Sequence, residues 1–360
     1  MKKLQAQAET SSSLSPYHRI ALDEQKAVHV FHSTLATLGV SRSEAVAIWI
    51  GLKSKPGMIL RTLSHNLADR VAFRIAQTML DKDSHRFILI QGHPWWAHPG
   101  PYQAQQITMQ GRLTSVRLRA FLVNAAMNGN REFMHIILIQ GIGRAELYSY
   151  FTLIPRQLHA LGGVLDLPWD SATSPTAVHE NVFMMATVRQ RLGVIDQPNI
   201  LDFCTILTLQ DPCTSSTSSE LDRYFSSPLQ HALSIHRAFN PFFARALIPA
   251  KHKSDALCVV GEALTLLDKN DVQPDPGLVK DAYMYLGHAW DLNHQGLFSK
   301  RVKTNVRLAS DFWLTQSFIP RIWGEAKRRL PLQKDVERFF TDRYLKAEAT
   351  WLHLLESRIH

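Results

Sequence analysis

The chain has 360 residues, 45% hydrophobic and 20% charged, with a formal net charge of +9 and a pI near 9.5. This composition excludes a disordered or fibrous chain and leaves enough apolar mass for a sizeable core. The excess of cations favours acidic partners: nucleic acid, an acidic protein face or anionic lipid.

Cys204, Cys213 and Cys258 form an odd set with no CxxC pair. They fit a reducing compartment and idle thiols, not a disulfide framework or a zinc site. Lys2 and Lys3 lead into polar residues and serines rather than an apolar segment, so no secretory signal is expected. No run approaches the roughly 20 apolar residues of a membrane helix. The expected location is intracellular, in nucleus, cytoplasm or both, with no membrane partner.

Residues 1–16 are polar and Ser-rich and read as a loose tail. Asp23 to Leu38 predicts a helix, because Ala27, Val28, Phe31, Leu35 and Leu38 follow a 3.6-residue period and Gly39 stops it. Ser41 or Ser43 is placed to cap a second helix through Trp49, with Glu44 in its first turn and Lys55-Pro56-Gly57 as a breaker. A third helix is predicted from about Ile59 to Leu80, with Leu63, Leu67, Val71 and Ile75 on one face.

Phe87 to Ile90 is short and wholly apolar, and its phrase Ile-Leu-Ile-Gln-Gly returns at Ile137 to Gly141. The echo marks duplicated halves, two buried segments lying side by side, or a coincidence of common residues. Periodicity cannot separate strand from helix in runs this short, and Arg131 to Ile139 also reads as a helix stopped by Gly141. Between the two copies lies Gln91-Gly92-His93-Pro94-Trp95-Trp96-Ala97-His98-Pro99-Gly100-Pro101-Tyr102. Its density of proline and glycine excludes regular structure, so it predicts an ordered loop whose aromatics anchor to the core or to a partner.

Leu161 to Asp211 is turn-rich, with one helix expected from Thr176 to Leu192. Residues 211–228 form a Ser/Thr-rich linker. Beyond it, helices are expected at 229–239, 241–249, 254–268 and 277–291, the last capped by Asp275. A basic helix follows at Ser299 to Leu314, and a final one from Lys334 to the end. The expected fold is mostly α: a multi-helix globular protein with a Trp/His/Pro/Gly-rich ordered loop and room for a few short strands. Its organisation reads as a tail (1–16), a first region (17–210), the linker (211–228) and a basic helical region (229–360).

Motifs for catalysis are missing. There is no Walker phosphate loop, nucleophile elbow, His-Glu-x-x-His or EF-hand, and Gly141-Ile142-Gly143 is followed by Glu146 where a dinucleotide loop needs its third glycine. His93 and His98 have no neighbouring carboxylate to orient them, which favours a turn-fixing role over catalysis or metal binding. No catalytic residue, cofactor or metal ligand is therefore expected. The candidate contact residues are Lys300, Arg301, Lys303, Arg307, Lys327, Arg328 and Arg329, which alternate with Phe312, Trp313 and Trp323. This pattern suits a phosphate-binding or acidic-partner face, or else amphipathic helices with aromatics inward and cations in water.

Trp95, Trp96, His98, Pro99 and Gly100 resemble the motif of the HPG-domain mating-type proteins of filamentous ascomycetes, a family named for its His, Pro and Gly. The likeness extends over residues 85–165. It implies a regulatory, non-enzymatic protein of sexual development after fertilisation, in fruiting-body and ascospore formation. It also implies other mating-type regulators as partners and a link to transcription regulation, whereas nucleic acid as a partner is read from the basic C-terminal region itself, since neither an HMG box nor an alpha box is visible. Two alternatives stand beside it: an RNA-encapsidating nucleoprotein of viral type, and a metal-dependent hydrolase using His93, His98 and distant carboxylates.

Overall fold

A computed structural model describes residues 24–62, 67–80, 84–91, 118, 120–131, 133–143, 164–165, 176–177, 179, 181–188, 195, 198–209, 240–341 and 343–356. The fold is mostly α, with a small five-stranded parallel sheet. The tail (1–16), the Trp-rich loop, the linker (211–228) and the helix expected at 229–239 lie outside the described residues.

Helix α1 (Glu24–Ala36) buries Ala27, Val28, Phe31 and Leu35. Helix α2 (Arg42–Ser54) begins with a capping box: the Glu44 amide donates to Ser41 Oγ at 3.3 Å, and the Ser41 amide donates to Glu44 Oε2 at 2.9 Å. Every residue from Glu44 to Ser54 is buried. A helix covered on all sides carries no polar face, and α2 lies between the sheet and the C-terminal helices. Its Lys53 is neutralised internally, with Nζ 2.6 Å from Glu24 Oε1, which also accepts from Trp49 Nε1 at 2.7 Å.

The long helix expected at 59–80 is two elements instead: strand β1 (Gly57–Thr62) and helix α3 (Leu67–Met79). The apolar spacing continued across the boundary because β1 sits inside the sheet and is apolar on both faces. Strand β2 (Phe87–Gln91) follows, and after the helical residues 120–126 comes β3 (His135–Ile142), a strand where a helix was one reading. β2 and β3 pair in parallel with Ile88 opposite Ile137, Leu89 opposite Leu138, Ile90 opposite Ile139 and Gln91 opposite Gln140. The repeated phrase is thus two neighbouring strands in register, matched residue for residue.

A short antiparallel pair, β4 (Val164–Leu165) and β5 (Thr176–Ala177), stands apart. The helix expected at 176–192 is replaced by β5 and by β6 (Val182–Val188), which is buried along its whole length. Helix α4 (Pro198–Phe203) leads into β7 (Cys204–Leu209). The sheet order is β2-β3-β6-β1-β7, all parallel. Gly141 takes a φ of 68° where the β3–β6 register shifts, a left-handed conformation that glycine adopts without a Cβ penalty.

The C-terminal helices are α5 (Pro241–Leu247), α6 (Lys253–Lys269), α7 (Pro276–His288), α8 (Val302–Trp313), α9 (Ile319–Ala326), α10 (Leu330–Phe340) and α11 (Leu345–Glu356). Asp275 caps α7 as expected, accepting from the Gly277 amide at 2.8 Å. The helix expected to end at Leu314 continues through a π turn, Leu314–Phe318, into α9. Pro320 has no N–H to donate to the preceding turn, and the wider turn absorbs that loss. The single helix expected from Lys334 onward is α10 and α11, broken around Thr341–Tyr344.

Two cores flank the sheet. One face packs Ile59, Ile137, Ile139, Met184 and Ile206 against Phe121, Leu122, Ile200 and Leu201. The other packs Met58, Leu60, Leu138 and Met185 in a cluster that includes α1, α2, α3 and the C-terminal helices out to Leu354. Described residues from both 17–210 and 229–360 contribute to this second cluster.

A buried ionic cluster ties the two together. Lys55, just before β1, places Nζ 2.9 Å from Asp281 Oδ2 on α7 and also donates to the Leu201 carbonyl. Arg321 on α9 bonds Asp281 at 2.8 Å, Asp202 at 2.7 Å and Asp275. Burial works against the Arg321 charge, but Asp281, Asp202 and Asp275 outweigh it and hold the guanidinium above its ordinary range.

Candidate functional site: sheet crevice and basic helical face

Ligands of open parallel sheets bind outside the carboxyl ends of the strands, where connections from adjacent strands leave to opposite faces. Here that point falls between β1 and β6. The helix after β1, α3, packs in one core, and the helix after β6, α4, packs in the other.

The polar groups at this corner are committed to one another. Asp69, in the first turn of α3, accepts a short hydrogen bond from the Thr187 hydroxyl of β6. Thr187 Oγ1 in turn accepts from the Gly141 amide of β3 at 2.9 Å. The start of a helix carries the positive end of its dipole and is where a phosphate would settle. In this protein a carboxylate of the chain itself is already there. The sequence between β1 and α3, residues 63–66, reads Leu-Ser-His-Asn. It supplies neither the glycines that let amides cradle phosphate nor the lysine that pairs with it. At the end of β1, Arg61 Nε donates to Thr208 Oγ1 of β7 at 2.5 Å, and burial pushes its pKa down. The described residues of the crevice do not fit a polyphosphate.

The expected family-motif residues Trp95, Trp96, His98, Pro99 and Gly100 lie outside the described residues, as does His93. His288 is fully buried, and His294 Nδ1 lies 2.7 Å from the Leu247 carbonyl. Among the described residues, no three His, Cys, Asp or Glu side chains group as a metal site. Of the cysteines, Cys204 is buried and free, Cys258 is exposed and free, and Cys213 lies outside the described residues.

The seven expected cationic contact residues are all exposed, but they divide into two sets. Arg328 Nη2 lies 2.7 Å from Glu325 Oε1, and Arg329 Nε lies 3.4 Å from Glu325 Oε2. Arg329 also donates to the Asn270 carbonyl at 3.1 Å, capping the end of α6. Arg328 and Arg329 of this triplet are thus engaged within the fold, while Lys327 is exposed. Lys300, Arg301, Lys303 and Arg307 stand at the start and along one face of α8, and among the described residues none has a carboxylate within ion-pair distance.

The interleaved aromatics point inward. Phe312 stacks on Phe298 with centroids 5.4 Å apart, Trp323 meets Trp351 edge-on at 5.5 Å, and Trp313 is fully buried. Of the two readings of the C-terminal pattern, the described residues place the aromatics in the core and the cations in water. What the sequence missed was the second wall beside α8: α6 and the turn at Arg343–Tyr344 form a groove of about 410 Å³ with it. Only the tertiary fold brings these segments together, and no local spacing signals it.

Among the described residues, no helix is long and apolar enough to cross a membrane. No family model matches the chain, and no curated protein shows significant similarity to it.

Proposed function

We propose that this chain is a regulatory protein that works by docking an acidic partner on its basic helical face, not by nucleotide-driven or metal-driven chemistry. The observation that carries this reading is the α8 set Lys300, Arg301, Lys303 and Arg307, exposed and without carboxylate partners among the described residues. Unpaired like charges on one face repel each other and raise the local potential, which steers and holds an acidic surface. The self-occupied crevice at Asp69 supports the same reading, because it removes the ordinary ligand position of a parallel sheet. The setting implied by His98-Pro99-Gly100, sexual development of a filamentous ascomycete with other mating-type regulators as partners, is the finer part of this proposal and rests on that motif alone.

Two triple variants with the same change in net charge test the docking face. Arg301→Gln/Lys303→Gln/Arg307→Gln should elute from immobilised polyglutamate at clearly lower salt than the native protein. Lys327→Gln/Arg328→Gln/Arg329→Gln should elute nearer to it, because Arg328 and Arg329 share Glu325, which offsets part of their charge. Equal elution of the two variants would mean that net charge, not this face, governs binding.

A further inference from the structure

The groove beside α8 has a chemistry more specific than a basic surface. Its floor is aliphatic, formed by Val259 of α6 and by Val302 and Val306 of α8. Lys303 and Arg307, one helical turn apart, line the α8 side, and Arg343 lines the opposite side. Asp255 is the one carboxylate among its described lining residues.

Arg343 is held in place from two directions. Its Nη2 contacts both oxygens of Glu262 at 3.1 and 2.9 Å, and its guanidinium lies over the Tyr344 ring, 5.3 Å from the centroid. The Tyr344 hydroxyl is pushed up to about 12, by burial first, so it is a neutral hydrogen-bonding group at any physiological pH. A cation fixed before binding loses little side-chain entropy when a partner arrives.

We infer that this groove receives an acidic amphipathic helix of a partner protein, its apolar side chains on the valines and its carboxylates against Lys303 and Arg307. An apolar floor beside the cationic α8 rim matches a helix with an apolar stripe and an acidic flank. Single-stranded nucleic acid is disfavoured by the same surface. Its bases need exposed aromatic platforms, and here Phe312 and Tyr344 are buried.

This inference rests on the docking reading above, and the test separates the two. The probes are a labelled designed helix with Leu at i, i+3, i+4 and i+7 and Glu or Asp between, the same helix with Ser for Leu, and poly(U). The Leu helix should bind about tenfold or more tighter than the Ser helix, since each buried Leu is worth more than one such factor. Lys303→Glu/Arg307→Glu should weaken both helices by at least about tenfold. Val306→Asn, a half-buried site whose folding is checked by thermal denaturation, should bring the Leu helix down to the Ser helix. Equal affinity for the two helices would overturn the groove and leave the basic face standing. Tighter binding of poly(U) than of the Leu helix would overturn the partner assigned here. No binding by any probe would overturn both readings.

Discussion

Asp281→Ala should cost about 3–5 kcal/mol of folding stability, because it strands two buried cations at once. Asp281 Oδ2 is 2.9 Å from Lys55 Nζ and 2.8 Å from Arg321 Nη2, and it also accepts from Ser317 Oγ at 3.3 Å. The side chains of Asp281 and Arg321 are 5% and 1% exposed, so water cannot replace the lost carboxylate. Asp202 and Asp275 keep part of the Arg321 charge balanced, but among the described residues Lys55 has no second carboxylate at ion-pair distance and is left with backbone carbonyls. Urea unfolding reads the effect as a lower midpoint. A loss under about 1 kcal/mol would place Asp281 with ordinary surface ion pairs and contradict its role as the tie between sheet and helices.

Gly287→Ala should destabilise by about 1–3 kcal/mol, although alanine is the better helix former by about 1 kcal/mol. A Cβ at Gly287 on α7 would overlap the backbone carbonyl of Ala244 on α5, and backbone cannot swing aside as a flexible side chain can. Gly261 on α6 and Gly324 on α9 have nothing within 4 Å of such a Cβ. Alanine at either should therefore stabilise by up to about 1 kcal/mol. Thermal denaturation of the three variants gives opposite signs if the α5–α7 approach is as close as described. Stabilisation at all three would show that the two helices stand apart.

The helices were legible where one face meets water. In α1, α6 and α7 the apolar residues recur at helical spacing, and Ser41 and Asp275 announce the starts of α2 and α7 through capping chemistry that needs no tertiary context. The sheet was hidden for the complementary reason. Met58 to Leu60 and Val182 to Ala186 are buried on both faces, so neither alternates, and each was absorbed into a helical pattern. The echo of Ile-Leu-Ile-Gln was the one clue to parallel pairing, and it came without a way to choose between strand and helix.

The candidate site was legible in residue type only. Exposed Lys303 and Arg307 and engaged Arg328 and Arg329 look alike in sequence. What separates them is Glu325 and the end of α6 near one pair, against Val259 and Arg343 beside the other. The crevice bond from Thr187 to Asp69 spans 118 positions, and the Lys55–Asp281 pair spans 226. Partners that distant are set by the fold, not by spacing along the chain.

The most direct test of the account is thermal denaturation with and without millimolar Mg-ATP and Mg-GTP. A ligand at about a hundred times its Kd stabilises the folded state by roughly 2.7 kcal/mol, enough to raise the Tm visibly. With the Asp69 carboxylate already seated at the start of α3, the melting temperature should stay where it is with either nucleotide. A rise of several degrees would contradict the account, because it would mean that the crevice between β1 and β6 still accepts a nucleotide.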